Sequence, residues 1–75
     1  MTDLEKFKEA IKESGMTISA ISRKTGINRA TIYNRMSGIG EFTASEIVAL
    51  SAVLHLNDVE RDDIFLNSKL YAVQH

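Results

Sequence analysis

Residues 17–38 read Thr17-Ile-Ser-Ala-Ile-Ser-Arg-Lys-Thr-Gly-Ile-Asn-Arg-Ala-Thr-Ile-Tyr-Asn-Arg-Met-Ser-Gly38, and their punctuation decides the fold. Thr17 is a good N-cap, because its hydroxyl accepts from an otherwise unpaired amide in the first turn of a helix. That helix is expected to end at Thr25, since Gly26 takes the left-handed conformation of a sharp turn without a Cβ penalty. Asn28 caps a second helix running to Ser37, and Gly38 stops it. Two helices of about eight residues thus meet across a turn of about three. Ser22 is small enough to let them approach, and Ile21, Ile27 and Ile32 fill the space between them.

Outward from this centre the signals stay helical. Thr2 with Glu5 has the spacing of a capping box, and Leu4, Phe7, Ile11 and Ser14 follow helical periodicity up to a stop at Gly15. Thr43 and Glu46 form a second box, with Phe42 placed to staple onto Ile47 and with Ile47, Leu50 and Leu54 as the buried stripe. Asn57 and Glu60 form a third, opening a short helix that carries Val59, Ile64 and Phe65. The fold class is all-α, five short helices in residues 1–66. Residues 67–75 lack caps and read as a tail, an arm or a short strand.

Seventy-five residues, 44% apolar and 25% charged, make one small globular domain. Without cysteine there is no disulfide, no thiolate metal site and no cysteine nucleophile. The charged N-terminus is no signal peptide, and no apolar run approaches the roughly 20 residues of a membrane span. A cytoplasmic protein is the expectation. The formal net charge of −1 hides an uneven distribution. Residues 14–40 hold Arg23, Lys24, Arg29 and Arg35 and no acid, a +4 island. Residues 41–75 hold Arg61 and Lys69 against Glu41, Glu46, Asp58, Glu60, Asp62 and Asp63, which sums to −4. Chance clustering is one reading of so few charges; a nucleic-acid face is the other.

Local chemistry bears on that choice. With Ile32 set inward and about 100° per residue, Ala30 and Asn34 fall about 160° and 200° away, with Arg29 and Tyr33 flanking them. Arg can donate twice to guanine, Asn can pair with adenine, and an Ala methyl can meet the thymine methyl. Arg29, Ala30, Tyr33 and Asn34 are therefore the candidate base readers. Thr17, Ser19, Arg23, Lys24, Thr31, Arg35 and Ser37 are the candidates for phosphate. Each has a plainer alternative: solvated charge for Arg23, Lys24 and Arg29, packing on neighbours for Tyr33, and snorkelling across the core for Arg35.

At these residues the chain resembles a known family. Ile21-Ser22, Gly26-Ile27, Thr31-Ile32-Tyr33, Met36-Ser37-Gly38 and Phe42-Thr43-Ala44-Ser45-Glu46-Ile47 are similar to the lambda-repressor-like helix-turn-helix domain, especially its small Cro-type phage regulators, over residues 4–66. The resemblance implies that the second helix of the motif reads operator DNA. Three positions depart from the pattern: Ser22 stands for the usual Ala, Ile11 and Met36 replace a frequent Arg–Glu pair, and the loop Gly38-Ile-Gly-Glu-Phe42 carries no cation. An apolar contact between Ile11 and Met36 is expected in place of the ion pair.

Catalysis is not expected, because no His or Lys stands near a hydroxyl to activate it. His55 reads as a helix-terminal residue favoured by the dipole, and with only His75 besides it no metal or other cofactor is implied. The leading expectation is a Cro-like phage or prophage repressor in a bacterial cell, binding double-stranded operator DNA as a homodimer. Leu66, Leu70, Tyr71 and Val73 are the candidate dimer contacts, against packing of the tail on its own domain. The runner-up is an antirepressor or antitoxin-like module on the same fold. Its partner would be a co-encoded repressor, and the acidic Asp58, Glu60, Asp62 and Asp63 would be docking surface rather than a solvated face.

Overall fold

The computed structural model describes residues 1–66; Leu70, Tyr71 and Val73 lie outside them. Five helices follow in order: α1 Leu4–Ser14, α2 Ile18–Thr25, α3 Arg29–Met36, α4 Ala44–Val53 and α5 Asp58–Phe65. No strand occurs among the described residues. The all-α expectation holds, and each end of the α2–turn–α3 unit lies within a residue of its expected place.

The caps explain these boundaries. Thr17 accepts from the Ala20 amide, Asn28 from that of Ala30, and Thr43 and Asn57 form complete capping boxes with Glu46 and Glu60. The first helix differs from expectation: its N-cap is Asp3, which accepts from the Lys6 amide, so the Thr2–Glu5 box does not form. A tertiary bond selects Asp3, whose own amide donates to the Ile64 carbonyl at 2.7 Å and ties the start of the chain to α5.

Three phenylalanines from distant parts of the chain make the centre of the core. Phe7 of α1, Phe42 ahead of α4 and Phe65 of α5 are all buried, with ring centroids 5.3, 5.6 and 5.9 Å apart and tilted or edge-to-face. Such pairs are worth about 0.5–1.5 kcal/mol beyond the area they bury. Truncating one buried ring to Ala costs about 3–5 kcal/mol, a large fraction of what a domain this small possesses. Ile11, Ile21, Ile27, Ile32, Leu50, Leu54 and Ile64 complete the core, with Met36 and Ile47 packed against it. Ile11 and Met36 thus both belong to the apolar interior. Val59 does not: it faces solvent, and only Ile64 and Phe65 anchor α5 inward.

Outside the core, Lys6 and Asp63 join α1 to α5 at 2.5 Å. The hydrogen bond that Lys6 donates to the Asp63 carboxylate raises the Lys6 pKa above the ordinary lysine value. A raised folded pKa means that the lysine's contribution to this link is present at neutral pH and is lost as pH climbs through the raised value.

Helices α3 and α4 end in the same motif with different residues. After α3, Gly38 N–H donates to Arg35 O and Ile39 N–H to Asn34 O, with Gly38 at φ +85°. After α4, His55 N–H donates to Ala52 O and Leu56 N–H to Ser51 O, with His55 at φ +56°. This is the Schellman arrangement, which favours glycine at its left-handed position. His55 lies past the helix end and occupies that position with a Cβ, where an L residue costs about 1–2 kcal/mol. His55→Gly is expected to raise stability by about 1 kcal/mol and the melting temperature by about 4–8 °C. Gly38→Ala is expected to lower stability by a similar amount, and thermal denaturation of the two variants checks both signs.

Candidate nucleic-acid interface

The position of α3 follows from its inward residues. Ile32 is completely buried, and Ile21 and Ile27 close the angle between α2 and α3. Arg29, Ala30, Tyr33, Asn34 and Ser37 are left exposed. All four candidate base readers therefore reach solvent from one short helix, with Arg29 and Ala30 at its N-terminal end.

Two hydroxyls stitch the turn that holds this helix. Ser22 Oγ donates to the Ile27 carbonyl at 2.5 Å. Thr25 Oγ1 donates to the Ile21 carbonyl at 2.7 Å and accepts from the Ile27 amide at 3.2 Å. The sequence suggested only a steric role for Ser22 and none for Thr25. Its signal was present in the pairing of two small hydroxyl residues around Gly26, which can satisfy backbone groups that a three-residue turn leaves unpaired.

The candidate phosphate residues fall into three groups. Thr17 and Ser19 lie at the start of α2, and both hydroxyls already accept a bond: Thr17 from the Ala20 amide, Ser19 from Arg29 Nη1 at 3.1 Å. Arg23 and Lys24 are exposed in the last turn of α2. Thr31 is half-buried, and Ser37 is the exposed C-cap of α3. Arg35 does not extend freely outward. Its Nη1 donates to the Ile39 carbonyl at 3.0 Å, and its guanidinium carbon stands 6.0 Å from the Phe42 ring centroid. The group lies so close beneath Gly40 that a Cβ there would overlap it. The loop that lacks a cation in sequence has one folded under it.

Electrostatics separate this face from the rest of the molecule. The ion pairs seen join Lys6 to Asp63 and Arg61 to Asp58 and Asp62, all on α1 and α5. Arg23, Lys24, Arg29 and Arg35 take part in none of them. Four uncompensated cations on 27 consecutive residues without a carboxylate make a local positive field within a molecule of net charge −1. Of the candidate dimer contacts, Leu66 is described; it is exposed beside Val59, and the two line a recess with Asp62 and Asp63. Among the described residues no group of three or more His, Cys, Asp or Glu could hold a metal, and no helix is long and apolar enough to cross a membrane.

Replacing Ser22 by Ala would leave the Ile27 carbonyl without its partner. Ser22→Ala is expected to cost about 1 kcal/mol, typical of a hydrogen bond lost from a half-buried site. Urea unfolding should show a lower midpoint at unchanged slope.

No curated protein and no solved structure matches the chain. A family model described as helix-turn-helix matches residues 7–60, from within α1 into α5, and so takes in the whole of α2, α3 and α4. With that match over well more than half of its length, the chain belongs to the lambda-repressor-like helix-turn-helix family of DNA-binding transcription regulators.

Proposed function

We propose that the protein is a Cro-like phage or prophage repressor that works in the cytoplasm of a bacterial cell. One observation carries this reading: the exposed side of α3 presents Arg29, Ala30, Tyr33 and Asn34 within a cationic segment free of carboxylates. Helix α3 lies in the major groove of operator DNA, N-terminal end first, and those four residues meet base edges. Thr17, Ser19, Arg23, Lys24, Thr31 and Ser37 face the sugar–phosphate backbone and fix the register, while Arg35, folded against the Ile39 carbonyl, adds positive charge to that side without extending from it. Residues 1–66 are the DNA-binding domain, and residues 67–75 a tail or arm. Two copies bind half-sites of a partly palindromic operator one helical turn, roughly 34 Å, apart. The dimer contact uses Leu66, Leu70, Tyr71 and Val73, a choice supported by the exposed apolar side chains of Val59 and Leu66 at this end of α5. No catalytic step and no cofactor enters the mechanism; repression follows from occupying the promoter.

A second reading is favoured by a separate feature. A cleft of about 470 Å³ between α1, the end of α4 and α5 is lined by Glu9, Glu13 and Glu60 and by the paired Asp63 and Lys6, so that acids outnumber the one lysine. It suits a basic partner such as a co-encoded repressor, which would make the protein an antirepressor or antitoxin-like module.

Selection from a randomised duplex pool, followed by titration of the recovered duplex with salt, separates the two. The repressor reading expects a linear fall of log K with log salt, with a slope of about −0.9 per phosphate neutralised. Arg29→Ala should cost about 1–3 kcal/mol and relax preference at one base pair, while Lys24→Ala should weaken all sequences alike and reduce the slope by about 1. Absence of any sequence-selective retention at low salt would overturn the repressor reading.

A further inference from the structure

The bond from Arg29 Nη1 to Ser19 Oγ, 3.1 Å long, joins the first turn of α3 to the first turn of α2 across ten residues of sequence. Both side chains are exposed, so no burial forces them together. We infer that Ser19 is a positioning residue for Arg29, fixing the direction in which the guanidinium meets DNA and thereby setting base preference at the position Arg29 reads. This deepens the proposed function and rests on α3 being the reading helix.

The donor inventory permits it. A guanidinium has five N–H donors, and giving one to Ser19 leaves four, Nε–H, the second Nη1 hydrogen and both Nη2 hydrogens, among them a two-donor fork for one base edge. None of those has another partner among the described residues. A free arginine at a helix start samples many rotamers, and ordering it at the moment of binding weakens association. A tether present beforehand removes part of that penalty and favours one fork direction over the rest. The partner's chemistry also matters. A carboxylate at position 19 would hold Arg29 more strongly, but it would neutralise the guanidinium and repel the phosphate backbone. A hydroxyl orients without cancelling charge, in keeping with a segment from residue 14 to residue 40 that contains no acid.

The test is a double-mutant cycle on the duplex recovered by selection with the wild-type protein, read against all three substitutions at the base pair whose preference Arg29→Ala abolishes. Ser19→Ala should reduce discrimination at that base pair about fivefold while leaving the other positions unchanged, and Ser19→Thr, which keeps the hydroxyl, should restore it. In the Arg29→Ala background, Ser19→Ala should have no further effect on discrimination, a coupling expected for groups in contact. Circular dichroism melts of Ser19→Ala should match the wild type, as expected for an exposed residue. A uniform loss of affinity with discrimination at that base pair unchanged would leave Ser19 as a phosphate contact alone and overturn the inference. If Arg29→Ala itself leaves every base preference intact, what fails is the reading of α3 as the recognition helix, and that failure shows before Ser19 is tested.

Discussion

The contact among Phe7, Phe42 and Phe65 is the constraint on which the remaining structure depends. Each ring comes from a different part of the chain: the first helix, the loop ahead of the fourth, and the last. Between the first two lies the whole of α2, α3 and their turn, so closing Phe7 on Phe42 also seats the segment that faces outward. The hydrogen bond from Asp3 to Ile64 and the Lys6–Asp63 pair repeat the closure at the rim, one by backbone and one by charge. With no cysteine to form a disulfide, a domain of this size relies on such converging contacts. The exposed side of α3 adds little to this packing, so its residues can vary without loosening the core.

Much of this architecture was legible because it is encoded locally. Thr17, Asn28, Thr43 and Asn57 cap the helices at which their side-chain chemistry places them, and Gly15 and Gly26 turn the chain where a left-handed residue is required. The outward set on α3 followed from one buried residue, Ile32, and the helical repeat. Other features were settled by distant partners. Thr2 and Asp3 are both competent caps, and the choice between them is made by Ile64, sixty-one residues away. Val59 carries an apolar side chain to the solvent side of a helix too short for periodicity to orient. His55 in a left-handed conformation has no signature in residue type, since the motif it completes normally takes glycine.

The candidate site shows the same division. Which residues of α3 are exposed is a matter of angle and could be read from the sequence. What the long side chains do is not, because arginine reaches across several residues in many directions. Arg29 and Arg35 look alike in sequence, six residues apart on one helix, yet one turns to a serine on α2 and the other folds beneath the following loop. Leu70, Tyr71 and Val73, on which the assembly proposal leans, fall beyond the described residues.

The arrangement at Gly40 has a consequence for how this sequence can diverge. That residue has φ +75°, and the space where its side chain would stand is filled by the Arg35 guanidinium. The guanidinium is the far end of a flexible side chain and could swing aside for a Cβ, so it is the left-handed backbone that holds glycine at 40. A side chain at 40 would push the Arg35 guanidinium away from the Ile39 carbonyl and the Phe42 ring, returning that cation to the surface of the loop.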